Sequence, residues 1–523
     1  MSNRDRASTE IIRQFRSLPS LLSSALKPWE LAVMAAALLF CTVTMFYADM
    51  TVTGPFGVLL WDSLFDGKFL SFYTNCLESG IAPEGAVYDI GIYVIFAIWN
   101  LPVWILNKLT GMSLTSVFAL LWYKLLPVLY TLASVVLVRD IAAQLGISKK
   151  SADAAGAVYL LSATVVMPVF STAQYDTITV WFILMGLKCW MRDEGTEAGS
   201  ARMQEACPGD DHLQEACPGD ECPEKACPFR ALGRSYLFWF ALSLITKPMG
   251  ILILFLLVVL REKKPLRIIV QLLKGCSLLL ICKLVYSFSE GYRNSAMSFQ
   301  GNQLESLMSI SVEGSYGAIS LFILGLVIVY VAAYLYDGER KGRLAIVLGM
   351  AVWALLCLFG NMTCYWTIYL SPFLVLSVFL SGKGRDRLLL LDWIGETCLT
   401  ILLILQCSWV YGGEKTYTYL LLKPLCGRIL SGESQVTVAG LLRTLHLDSL
   451  TPAMMAVVAG VFLMTGAAAL QSVRRDEIEE EESVAFCLAG QEYTELRCQI
   501  LLRILMVFAW ILLTLAALYY MIH

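Results

Sequence analysis

The chain has 523 residues, of which 15% are charged and 58% hydrophobic, and its mean hydropathy is +0.67. Soluble globular chains hold about 25% charged residues, and disorder needs low hydrophobicity, so both a water-soluble fold and a disordered chain are excluded. The 39 basic and 42 acidic residues nearly balance, at a net charge of -3, and offer no basic surface for nucleic acid.

A membrane-crossing helix needs about 20 mainly apolar residues. Trp29 to Ala48 is the first such run. Its flank, the segment 1–28, carries Arg4, Arg6, Arg13, Arg16 and Lys27, which places the N-terminus in the cytoplasm. Asp49 then emerges on the outer face. Phe56 to Phe69 is amphipathic. Tyr88 to Leu106 is apolar but carries Asp89, Asn100 and Pro102. Leu114 to Ala142 ends in Arg139, followed by Lys149 and Lys150, so that end is read as cytoplasmic. The stretch 49–112 is then one outer loop with two interfacial helices.

Ala152 to Ser171 goes outward and Thr177 to Trp190 returns. Ser235 to Thr246 and Met249 to Leu260 form a second pair around Lys247. Ile268 to Phe288, Tyr316 to Tyr336, Leu344 to Gly360, Tyr365 to Leu380, Leu389 to Val410, Pro452 to Leu470 and Ile500 to Met521 follow. The expected fold is an all-α polytopic bundle of about 13 spans, with N-terminus inside. Of the 39 Lys and Arg, 27 fall in segments read as cytoplasmic and eight in outer ones, which supports that orientation. Lys124, Lys274, Lys283 and Arg503 fall within spans, and no mid-span acid is read as a partner for the three lysines.

The segment 191–234 contains QEACPGD twice, at 204–210 and 214–220, and a degenerate copy at 225–230. Three short Pro-Gly units are too few for a solenoid. The spacing of Cys207, Cys217, Cys222 and Cys227 fits no paired zinc pattern, so the segment reads as a disordered cytoplasmic loop. Most other cysteines sit singly in apolar runs as small hydrophobes. With only 3 histidines, a His-based metal centre is not indicated.

The candidate chemistry lies on the outer face. Asp49 follows the first span directly, where partial desolvation raises a carboxyl toward the range of a general base. Asp176 closes the outer turn Ser171-Thr172-Ala173-Gln174-Tyr175-Asp176. Lys247 stands in Ile245-Thr246-Lys247-Pro248 between two short spans, and a cation at that depth needs an anion or water. Arg293, in the loop 289–315, is suited to bidentate phosphate contact.

The order of these features resembles the GT-C glycosyltransferases. That family includes polyprenyl-phosphate-sugar mannosyl- and glucosyltransferases, protein O-mannosyltransferases and lipid A aminoarabinose transferases. Asp49, the loop to Met112, the run Val135 to Arg139 and the small residues Ala152 to Ala157 follow the family order. The turn 171–176 is similar to the family's GQxD-like turn, with Ala173 in place of Gly, and 244–248 is similar to its Lys-containing outer turn. The likeness covers roughly 29–264, a catalytic module ahead of a variable module, 265–523. It departs from the family at Met50, where a tandem acid is absent, and in having no outer His near the acids.

The resemblance implies a sugar transferred from a polyprenyl-phosphate donor to a hydroxyl of a glycan, lipid or protein acceptor at the outer membrane face. Asp49 is then the base. Asp176 orients the acceptor or stabilises the anomeric centre, Gln174 and Tyr175 line the site, and Lys247 and Arg293 bind the phosphate. A polysaccharide polymerase or ligase is one rival reading, with 411–449 as its late outer loop. A transporter or flippase of lipid-linked sugars is the other, and it expects paired ionisable residues deep in the bundle.

Overall fold

A computed structural model describes residues 4–206, 235–382, 384–407, 410, 438–474 and 481–522. The QEACPGD repeats from 207 onward and most of the late loop, 411–437, lie outside them. The described residues are almost all helix, with one antiparallel hairpin, Ser311–Gly314 with Gly317–Ser320. Six helices are long and apolar enough to cross a membrane, or up to eight if each of two bent pairs is one span. The protein is a multi-pass membrane protein. The expected count of about 13 is not confirmed, because five further apolar helices have only 10–17 residues.

The basic segment at the N-terminus is more than a flank. It forms the helix Arg4–Ala25 and packs on Val117–Gln144 and Lys149–Leu161. Ser24 Oγ donates to Asp153 at 2.7 Å, and Arg13, Arg139 and Lys188 converge on Asp140. This basic cluster marks one end of the bundle. Lys124 lies 16 residues earlier on the same helix, about 24 Å away.

Two expected elements are broken. The apolar stretch 88–106 forms Ile90–Trp99 and Leu101–Thr110, bent by 64°. The break falls at Asn100, whose side chain donates to Gly54 O at 3.0 Å, and Pro102 restarts the chain. Asp62 accepts from Trp104 Nε1 at 2.7 Å and pairs with Lys108 at 2.9 Å, which ties Leu101–Thr110 to Met50–Phe65. The second break falls within the expected span 152–171. Lys149–Leu161 stops at Ser162, and the continuation bends by 55° and becomes a π-helix over Val166–Ser171. Pro168 lies within that π-helix, a conformation frequent at functional sites.

The fourth in-span cation, Arg503, does meet mid-span acids. Asp392 and Glu396 share one face of Arg385–Gln406 at a spacing of four, and both bind Arg503 of Glu481–Ile522. All three are buried. Glu396 also accepts from Ala163 N at 3.3 Å and Thr164 Oγ1 at 3.0 Å, at the restart of the broken helix. The first N–H groups of a helix have no intrahelical partner, and inside a bilayer they must find one within the protein. Lys283 too is paired, with Asp89 of the first loop at 3.3 Å.

Candidate active site

Four chain segments deliver one polar cluster at the end opposite Asp140. The helix Pro28–Thr44 leads to Asp49, which begins Met50–Phe65. The broken helix ends in the turn 171–176. The backbone folds back there through Gln174 N to Pro168 O at 2.8 Å, and Ala173 takes φ 59°. That left-handed conformation costs a Cβ-bearing residue about 1–2 kcal/mol. It occurs where the similarity to GT-C enzymes expects glycine. Lys247 sits between Tyr236–Thr246 and Pro248–Gly250 with extended backbone, φ -151° and ψ 133°. Pro248 disfavours the helical conformation at Lys247 and so presents that side chain on a break. The fourth segment, Cys364–Leu380, brings Tyr365 and Tyr369 on one helical face.

The contacts join the expected residues directly. Gln174 Nε2 donates to Asp49 Oδ2 at 2.9 Å, and Lys247 Nζ pairs with Asp176 Oδ2 at 2.7 Å. Tyr369 OH donates to Asp176 Oδ1 at 2.9 Å, so both oxygens of this buried carboxylate are engaged. The Lys247 ammonium lies 4.5 Å from the Tyr88 ring centre, 4.8 Å from that of Tyr175 and 5.8 Å from that of Tyr365. These rings supply attraction to a cation removed from water. Tyr175 in turn accepts from Thr53 Oγ1 at 3.1 Å, which holds its ring to Met50–Phe65. Gly91 lets the first loop close on Lys247: a Cβ there would meet Ile245 O at 2.5 Å.

Asp49 differs from Asp176 in being half-buried, not sealed. Loss of water raises its carboxyl above the ordinary range, while the Gln174 hydrogen bond and the Lys247 charge oppose that shift. Gln174 Oε1 is buried and lacks a hydrogen-bond partner. An acceptor stranded this way awaits a donor such as a hydroxyl.

Five of the six expected residues thus meet: Asp49, Gln174, Tyr175, Asp176 and Lys247. Arg293 stands apart. It is exposed and donates to Ser287 O at 2.7 Å. Its neighbour Tyr292 is the buried one, and it donates to Asp89 at 2.8 Å. Sequence reasoning missed Tyr88, Tyr365 and Tyr369. The spacing of four in Tyr365-Trp366-Thr367-Ile368-Tyr369 was the available signal for the last two. Among the described residues no three His, Cys, Asp or Glu side chains gather into a group able to hold a metal ion.

No family model and no curated protein matches this sequence. Among solved structures, the crystal structure of ArnT from Cupriavidus metallidurans bound to undecaprenyl phosphate is similar. The identity is 12%, the TM-score 0.39, and the match covers 86% of this chain and 78% of that one. A likeness at this level carries no conclusion about chemistry.

Proposed function

We propose that the protein is a GT-C-type glycosyltransferase that moves a sugar from a polyprenyl-phosphate donor to an acceptor hydroxyl at the outer membrane face. The observation that carries this reading is the pair of contacts Asp49–Gln174 and Asp176–Lys247. They unite a half-open acid, an unsatisfied amide oxygen and a buried cation in one place. In this reading the acceptor hydroxyl donates to Asp49, and its oxygen attacks the anomeric carbon. The proton passes to the Asp49 carboxylate, the bond from the anomeric carbon to the phosphate oxygen breaks, and the lipid phosphate leaves with the electron pair. A single displacement inverts the anomeric centre.

An ammonium has three donors, and one is recorded on Asp176. The other two suit the oxygens of a leaving phosphate. Asp176, with both oxygens engaged, serves as the holder of Lys247 and not as a group on the sugar. Gln174 Oε1 accepts from a second hydroxyl and orients the reactants. Arg293 has no part in this scheme.

The test is transfer by purified protein from a panel of polyprenyl-phosphate sugars, comparing the native chain with Asp49→Asn. Asn keeps the shape but takes no proton, so transfer falls by about 10²-fold or more while sugar-phosphate binding persists. Normal turnover by Asp49→Asn removes the base. Absence of transfer with every donor, alongside movement of intact lipid-linked sugar between leaflets, replaces the transferase with a flippase.

A further inference from the structure

Lys124 belongs to neither acid-bearing segment. It projects from Val117–Gln144 and is buried. Its ammonium donates to Cys41 O at 3.0 Å, to Met45 O, and to Phe170 O at 2.6 Å. All three acceptors are backbone carbonyls. Cys41 belongs to the last turn of Pro28–Thr44, and Met45 is the extended residue that caps it on the way to Asp49. The third belongs to the π-helix that ends just before Gln174 and Asp176. Met45 is four residues from Asp49, and Phe170 is four from Gln174.

The cation suits this place on two counts. Carbonyls at a helix C-terminus carry partial negative charge and can lack intrahelical donors; of the three, Cys41 O also accepts from Met45 N at 3.0 Å. In a bilayer each needs a donor from the protein. A single ammonium meets the ends of both helices and fixes their separation. Beyond it the two segments touch again at Asp49–Gln174, 2.9 Å apart. The opposite end of the broken helix is held by Glu396, and Trp510 Nε1 holds Ser171 Oγ at 2.8 Å. The segment 163–171 is therefore held at both ends, and Lys124 joins it to the helix leading to Asp49.

We propose that Lys124 is a positioning residue for transfer: it sets the register between the Asp49 segment and the Gln174–Asp176 turn. This inference rests on Asp49 being the base. A misplacement of about 1 Å in such a site costs up to about 10²-fold in rate.

The experiment is a double-mutant cycle on the full chain with Lys124→Met and Asp49→Asn, reading kcat, KM and thermal unfolding. Lys124→Met lowers kcat by at least about 10-fold at little-changed donor KM. On the Asp49→Asn background it produces no further loss, because the group it positions is already gone. Lys124→Gln keeps an uncharged donor and recovers part of kcat; it also carries the cycle if Lys124→Met does not fold. A normal kcat in a folded Lys124 variant, beside an inactive Asp49→Asn, overturns this inference alone. A loss that multiplies in full on the Asp49→Asn background also overturns it, since that is what a general structural role produces. Normal turnover by Asp49→Asn overturns the base assignment and this inference together.

Discussion

Two clusters in this protein have the same inventory, two carboxylates and one cation. One is Asp49, Asp176 and Lys247; the other is Asp392, Glu396 and Arg503. In the second, all three side chains are buried on two facing helices, and Arg503 bridges both acids. In the first, the groups stand on a helix start, a left-handed turn and a helix break, and Asp49 is half-open. Charge content therefore does not make a site. What sets the first cluster apart is its backbone breaks, which bring Asp49, Asp176 and Lys247 together while leaving Asp49 half-open.

The largest expected effect separates the two clusters by what each loses. Arg503→Met leaves two buried carboxylates facing one another and lowers stability by about 3–5 kcal/mol, read by thermal unfolding in detergent. The triple change Arg503→Met, Asp392→Asn, Glu396→Gln recovers most of that loss, because no buried charge remains unmatched. Failure of the triple variant to recover would give this cluster a role beyond holding helices. Asp49→Asn behaves oppositely: transfer collapses while stability holds or rises. Its sign follows from burial. A carboxyl raised in the folded state costs stability once pH passes its unfolded value, and Asn removes that cost.

The same shift sets a pH profile. Transfer falls as pH drops through the raised value for Asp49, so the acid limb starts above the usual carboxylate range. An acid limb at an ordinary aspartate position would mean that Asp49 is fully hydrated when substrate binds. A smaller effect tests the turn. Ala173→Gly relieves the φ 59° conformation and stabilises the protein by about 1 kcal/mol, with transfer retained. Smallest of all, deletion of 204–230 leaves transfer unchanged, as expected of a polar Pro-Gly-rich insertion.

Much of the first cluster was legible before folding. Asp49 after an apolar run, Asp176 on a short turn and Lys247 before a proline each stand out against hydrophobic neighbours. Their partners did not. Tyr369 meets Asp176 across 193 residues of chain, and Lys124 meets Cys41 across 83. Contacts of that span depend on how helices pack, which local pattern does not encode. The pair Asp392 and Glu396 was visible at a spacing of four but was absorbed into its apolar run. Arg293, selected for its fit to a phosphate, is exposed and lies apart from the cluster, while its neighbour Tyr292 is buried.

The bond from Trp510 to Ser171 closes a loop of 339 residues, and Arg503 is 107 residues beyond Glu396. At roughly 5–20 residues per second of synthesis, the ribosome needs about 20–70 s to travel from Ser171 to Trp510. Throughout that interval the turn bearing Gln174 and Asp176 has entered the bilayer without the helix that will hold it. On the nascent chain the proposed site thus lacks this brace until Glu481–Ile522 inserts.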